Sequence, residues 1–262
     1  MSGESPVAIE RRGSVAILRI DRTDRMNALS RATLQAFGRI GRELGGDASL
    51  RAIVLTGTGD KAFCAGADLK ERQGMDENAV RDQVKLYLSE LGWLDTSPVP
   101  VVAALNGVAL GGGLELALLA DLRVAAAHAT LGLPETSIGI IPGAGGTQRL
   151  PRVVGEARAK ELILLGRRLS ADEALAIGLV NRVTPAGVDL IEDTLSFITP
   201  ISQGAPIAQA AALRAIDLSF ETDLDHGLEL ERLAYDDCLR SEDRLEALRA
   251  FAEKRKPEFK GR

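Results

Sequence analysis

Residues 106–116 read Asn106-Gly107-Val108-Ala109-Leu110-Gly111-Gly112-Gly113-Leu114-Glu115-Leu116. A continuous valine-rich apolar run, residues 99–105, precedes them, as expected of a strand covered on both faces. The triple glycine then opens a helix, with Glu115 in its first turn. Glycines at such a junction can simply turn the chain and let helix and strand pack closely. They can also present backbone N–H groups at a helix N-terminus, a nest for a phosphate or a developing oxyanion.

Two further glycine-rich segments share this character. One is Lys61-Ala62-Phe63-Cys64-Ala65-Gly66-Ala67-Asp68-Leu69-Lys70. The other runs Leu133-Pro134-Glu135-Thr136 and continues to Ile141-Pro142-Gly143-Ala144-Gly145-Gly146-Thr147-Gln148-Arg149-Leu150. No G-x-x-x-x-G-K-[ST] occurs, and no G-x-G-x-x-G follows a strand with an acidic residue at the expected distance. Nucleotide-phosphate cradles of those two kinds are thereby set aside.

Working outward, residues 7–9 and 15–20 read as two short strands around a turn. Ser30 can cap a helix whose apolar face carries Leu34, Phe37, Ile40 and Leu44, stopped by Gly45-Gly46-Asp47. Residues 52–56 form a second continuous apolar run and 122–126 a weaker third, separated by a loop (57–68) and a helix over 77–94. Strand and helix alternate, so the class is α/β with right-handed crossovers. Beyond about residue 155 the pattern turns almost wholly helical. Gly166 closes a helix there, and Ser170 with Glu173 forms a capping box. Pro185 and Pro206 sit near further helix starts. Leu230, Leu233, Ala234 and Cys238 share one late face, and Ser241 caps a last helix with Leu245, Leu248 and Phe251 inward.

Composition narrows the function classes. The 262 residues are 45% hydrophobic and 26% charged, ordinary for a globular chain large enough to bury a sizeable core. A net charge of −5 argues against a basic field for nucleic acid or an anionic membrane surface. Aromatics at 3% leave little for base-stacking platforms. Two cysteines, Cys64 and Cys238, exclude a disulfide framework and read as reduced residues, and two histidines, His128 and His226, cannot by themselves make a His-rich zinc site. No apolar stretch approaches the ~20 residues of a membrane span. The polar, charged N-terminus shows neither a signal-peptide nor a transit-peptide pattern, so we expect a cytoplasmic protein.

Two glutamates stand out. Glu115 at a helix start could merely complement the helix dipole. Glu135, among Leu131, Leu133, Ile138, Ile140 and Ile141, is harder to explain that way. A carboxyl in apolar surroundings raises its pKa, which suits a proton donor. Two glutamates beside an oxyanion nest suggest acid–base work on a carbonyl compound.

At these residues the chain resembles the enoyl-CoA hydratase/isomerase (crotonase) superfamily, over essentially its whole length. The match rests on Asn-Ala-Leu at 27–29, AGAD at 65–68, NG-x-A-x-GGG-x-E at 106–115 and P-E-x(6)-P-G-x-GGTQRL at 134–150. Thr23 departs from the proline that many members carry after Arg22, a difference confined to an access loop. The resemblance implies a spiral of ββα units, residues 1–200, followed by a C-terminal helical trimerisation region, residues 201–262. It implies assembly as a trimer or a dimer of trimers.

By the same resemblance, the N–H groups of Ala67 and Gly112 form an oxyanion hole for a thioester carbonyl. Ala28, Ala65, Asp68, Leu69 and Lys70 would hold the coenzyme A portion, largely through backbone. Coenzyme A is then part of the substrate, and no separate cofactor or metal is implied. Arg25, Lys61 and the basic tail, residues 254–262, are candidates for its phosphates. Glu115 would orient and deprotonate water, Glu135 would protonate the α-carbon, and Gly143 would position the water through its backbone. Members that hydrate double bonds carry both glutamates, whereas isomerases commonly lack one. The implied reaction is reversible syn hydration of a 2-enoyl-CoA to a 3-hydroxyacyl-CoA, with an isomerase as the alternative.

A narrower likeness, to methylglutaconyl-CoA hydratases of leucine breakdown, rests on residues 63–72, 114–118, 243–248 and the tail. That group also binds AU-rich RNA through a lysine-rich helix. The matching stretch here, residues 31–51, has Arg31, Arg39, Arg42 and Arg51 but no lysine, and includes Glu43 and Asp47. It reads as a charged, solvated helix face, which weighs against a nucleic-acid partner.

Overall fold

Val7–Arg12 (β1) and Val15–Ile20 (β2) pair antiparallel about Gly13, whose φ of +59° is the left-handed conformation that this tight turn requires. The structure, a computed structural model, describes residues 5–262; residues 1–4, part of the N-terminus read above for a leader, lie outside the described residues. The remaining strands are β3 (Ala52–Gly57), β4 (Ala62–Cys64), β5 (Val101–Leu105), β6 (Val108–Leu110), β7 (Leu122–Ala126), β8 (Thr130–Gly132), β9 (Arg168–Ser170) and β10 (Arg182–Thr184).

Two sheets result. The larger has the order β1-β2-β3-β5-β7-β10, parallel from β2 onward. Its central strands β3 and β5 are buried along their whole length, as their unbroken apolar runs demand. The smaller has the order β4-β6-β8-β9, with β4, β6 and β8 parallel and β9 antiparallel to β8. Helices packed on parallel strands make this an α/β protein.

Local signals behave as their chemistry predicts. Ser30 Oγ accepts from Thr33 N at 3.2 Å to start the helix Arg31–Leu44, which buries Leu34, Phe37, Ile40 and Leu44. Ser170 and Glu173 complete a reciprocal capping box. The helix Glu77–Asp95 lies against Arg31–Leu44 so closely that a side-chain carbon on Gly41 would meet the Trp93 ring at 2.6 Å.

Four expectations are corrected. The loop at 57–68 contains β4, and the region beyond 155 contains β9 and β10 besides its helices. Three-residue strands carry too little alternation to read in sequence. Pro185 stands in a turn, while Asp189 caps the next helix, Leu190–Phe197, by accepting from Glu192 N at 2.9 Å. Finally, Leu245, Leu248 and Phe251 do not point inward: they are 52%, 57% and 85% exposed. The helix Glu242–Glu253 instead buries Ala250 and Asp243, whose carboxylate accepts from the backbone of Lys260 and Gly261 and folds the tail back. Leu233 is likewise exposed, with only Ala234 of that face buried.

Candidate active site

The parallel register of the small sheet decides where the glycine segments meet. Cys64 pairs with Ala109, and Ala109 with Leu131, so three chain segments leave the same edge of the sheet together. Ala65-Gly66-Ala67 follows β4, Gly111-Gly112 follows β6, and Leu133-Pro134-Glu135 follows β8. Two buried asparagines tie the opposite end of β4, its entry at Ala62, to the preceding loop. Asn27 Nδ2 donates to the carbonyls of Thr58 and Ala62, and Asn106 bridges Gly57 N to the carbonyls of Gly59 and Ala62. The segments enclose a cleft of about 760 Å³.

Each glycine of the triple has its own reason. Gly111 takes φ +53°, and a side-chain carbon there would crowd Glu135 Oε1 at 2.9 Å. Gly113 lies so close to β4 that a carbon would meet the Cys64 carbonyl oxygen at 2.0 Å. Gly112 faces the cleft, and a carbon added to it would come 3.5 Å from Ala67 N. Neither the Ala67 nor the Gly112 N–H is spent on a hydrogen bond within the described residues. Two unspent amides thus flank one small space.

The two glutamates sit in the same cleft in different surroundings. Glu115 Oε1 accepts from Ala144 N at 2.7 Å and Gly146 N at 2.8 Å. Burial raises its pKa, and these two amide bonds oppose the rise by stabilising the carboxylate. Glu135 opens the single 3₁₀ turn Glu135–Ile138, and its Oε2 is buried without a partner. Burial pushes its pKa up to about 7, the bond from its own backbone N–H opposes this, and the nearby charge of Glu115 adds to it. Ile138, Ile140 and Ile141 line the cleft but remain exposed; Leu131 and Leu133 are the buried apolar residues on this segment. Burial raises both carboxyls, but only Glu115 has amide donors from another segment stabilising its ionised form, and that difference can divide the roles of base and acid.

An enoyl-CoA hydratase/isomerase family model matches residues 10–262. The chain belongs to the enoyl-CoA hydratase/isomerase family. It is 48% identical over 259 residues to YngF of Bacillus subtilis, described only at the level of enoyl-CoA hydratase/isomerase, with 99% of each chain covered. It is 42% identical to the mitochondrial methylglutaconyl-CoA hydratase of Mus musculus, covering 96% of this chain and 81% of that protein. The crystal structure of an enoyl-CoA hydratase from Bacillus anthracis superposes with a TM-score of 0.95 at 46% identity, covering 98% of this chain and all of that one. The fold is therefore the crotonase fold of this family of enzymes.

Of the residues singled out in the sequence, Ala65, Ala67, Leu69, Gly112, Glu115, Glu135 and Gly143 line the cleft of this family member. Ala28, Asp68 and Lys70 do not. Asp68 caps the short helix Leu69–Arg72 through Lys70 N and Glu71 N, and pairs with Arg22 at 2.8 Å. Among the proposed phosphate cations, Arg25 pairs with Asp24, Arg255 with Glu246 and Glu253, and Arg262 with Glu242. Lys61 makes no ion pair within the described residues, and its backbone carbonyl takes the Val108 N–H. Cys64 is buried in the core with its thiol pushed up to about 12 by burial, an inert residue that does not line the cleft. His128 is bonded to the carbonyls of Asp60 and Asn106, 68 and 22 residues away, and His226 to Asp223 three residues before it.

Sequence reasoning missed Tyr87 and Arg72, which also line the cleft. Arg72 Nε donates to the fully buried Gln83 at 2.8 Å, whose amide in turn donates to Glu71. A polar glutamine on the inner face of the Glu77–Asp95 helix was the available signal.

Proposed function

We propose that this enzyme is an enoyl-CoA hydratase, adding water syn and reversibly to a 2-enoyl-CoA to give a 3-hydroxyacyl-CoA. The observation that carries this reading is the pair Glu115 and Glu135, in one cleft beside two unspent amides, the first hydrogen-bonded by two amides and the second buried with an unpartnered oxygen. The thioester oxygen sits between Ala67 N and Gly112 N, where developing enolate charge is stabilised; one such donor contributes a factor of ~10²–10³ in rate. Glu115, held as a carboxylate by Ala144 and Gly146, takes a proton from water as its oxygen bonds to the β-carbon. Glu135 delivers its proton to the α-carbon. Solvent exchange then returns both carboxyls to their starting states. Gly143, exposed at the cleft, positions the water.

The acyl group we favour is short and branched, of the methylglutaconyl type, which the 42% identity to the mouse methylglutaconyl-CoA hydratase supports. Coenzyme A is carried as part of the substrate. Exposed Leu224, Leu233, Leu245, Leu248 and Phe251 on the helices beyond residue 200 support the reading of residues 201–262 as an oligomerisation region for a trimer or a dimer of trimers.

Isotope exchange separates the two glutamates. Glu115→Gln should lose hydration by at least ~10² yet still exchange α-protons of an acyl-CoA, because Glu135 remains. Glu135→Gln should lose both. Folded Glu135→Gln that hydrates within a few-fold of the parent refutes the assignment, and double-bond migration without hydration in the parent would favour the isomerase.

A further inference from the structure

Tyr87 lies on the Glu77–Asp95 helix, which walls one side of the cleft. Its side chain is 4% exposed, and its hydroxyl oxygen is buried with no hydrogen-bond partner. A native core rarely strands a phenolic O–H, because the group gives up its bonds to water and receives nothing in return. Such an orphan inside a cleft marks a place where a ligand atom completes the bond.

The position identifies that atom. A carbon added to Gly112 would lie 3.3 Å from Tyr87 Cε1, 3.5 Å from the Tyr87 hydroxyl oxygen and 3.5 Å from Ala67 N. The open side of Gly112 is therefore a small space onto which the phenol and the Ala67 amide converge, next to the N–H of Gly112 itself. Neither neighbouring acid bonds the phenol, and one oxygen of each is taken: Glu71 Oε2 accepts from Arg31 N and Gln83, and Glu115 Oε1 from Ala144 and Gly146. Burial raises the phenol's pKa, so Tyr87 keeps its proton and acts as a donor.

We propose that Tyr87 is a catalytic residue, a third donor whose hydroxyl bonds the substrate's thioester oxygen alongside the N–H groups of Ala67 and Gly112. This rests on the reading of the cleft as an acyl-CoA thioester site, and holds for hydration and isomerisation alike, since both place charge on that oxygen. No proton is transferred. As the carbonyl electron pair moves onto oxygen the hydrogen bond from the Tyr87 hydroxyl shortens, and it relaxes when the α-carbon is protonated. The arrangement is preorganised, because a ring packed against Gly112 has no freedom to turn to water.

The test uses the full-length protein. Tyr87→Phe removes only the hydroxyl, and the carbonyl stretch of bound, carbonyl-labelled enoyl-CoA reports polarisation directly. We expect kcat to fall by about 10- to 100-fold with KM changed by no more than a few-fold. The bound carbonyl stretch should return part of the way towards its value in free substrate. The chain has two tyrosines, Tyr87 and Tyr235, so 3-fluorotyrosine incorporated in a Tyr235→Phe background places a more acidic phenol at Tyr87 alone. That protein should polarise the carbonyl more strongly than its unfluorinated counterpart, and it keeps the test decisive if Tyr87→Phe folds poorly. An active parent whose carbonyl stretch is unmoved by fluorination, or a folded Tyr87→Phe with parental kcat and stretch, overturns the proposal alone. A parent that binds no enoyl-CoA overturns the site reading with it.

Discussion

Replacing Glu135 by glutamine should stabilise the protein, and by an amount that depends on pH. Burial lifts the Glu135 carboxyl from 4.5 to about 7 in the folded chain. Between those values the folded state keeps a proton that the unfolded state has released. Linkage then makes stability fall as pH rises through that window. The penalty is absent below the unfolded value and complete above about pH 7. At 1.36 kcal/mol per unit the shift sets an upper bound of about 3 kcal/mol. Glu135 borders an open cleft, and solvent screening reduces this to roughly 1–2 kcal/mol. For a chain of this size each kcal/mol moves Tm by about 2–4 °C, so the whole effect amounts to roughly 2–8 °C.

The assay is thermal unfolding of parent and Glu135→Gln at constant ionic strength, from about pH 4 to about pH 8. Any pH-independent cost of the glutamine amide cancels when the difference in Tm is followed across the series, and so do carboxyls common to both proteins, such as Asp121. The gap in favour of glutamine should open between pH 4.5 and about 7 and then level off. In parallel, kcat/KM of the parent should decline above about pH 7 as the acid is lost, and the residual activity of Glu135→Gln should lack that limb. A Tm difference that stays constant across the window would falsify the claim that Glu135 is held protonated by its surroundings.

The triple glycine offers a sharper division. Gly112→Ala should fold, with a melting curve near the parent's, yet lose at least ~10² in hydration rate because its methyl fills the space beside Ala67 N. Gly113→Ala should fail to fold, since its methyl meets the Cys64 carbonyl at 2.0 Å; equal stability of the two variants would contradict this geometry. Light scattering at micromolar concentration should give a mass of three or six chains of 27.8 kDa, and a monomer would remove the role given to Leu245, Leu248 and Phe251.

Much of the site could be read in the chain because its chemistry is local. Ser30, Ser170 and Ser241 cap helices through backbone groups three residues away, and the apolar runs of β3 and β5 need only their own composition to announce burial. The glycine segments and both glutamates stand in contiguous motifs, and it is the resemblance of those motifs to the family that gives them their expected roles. Tertiary structure alone decided the rest. The strands β4, β6, β8 and β9 have three residues each, and what stabilises them is pairing with partners far along the chain, so no local pattern records them. Glu115 gains the donors that favour its ionised form only from amides 29 and 31 residues away. Glu135 acquires its raised pKa from desolvation, a property of everything packed around it. Tyr87 belongs to no motif, and only the fold sets its hydroxyl beside Gly112 and Ala67. Leu245, Leu248 and Phe251 read as core from periodicity, because periodicity reports which residues share a helix face and not what that face meets.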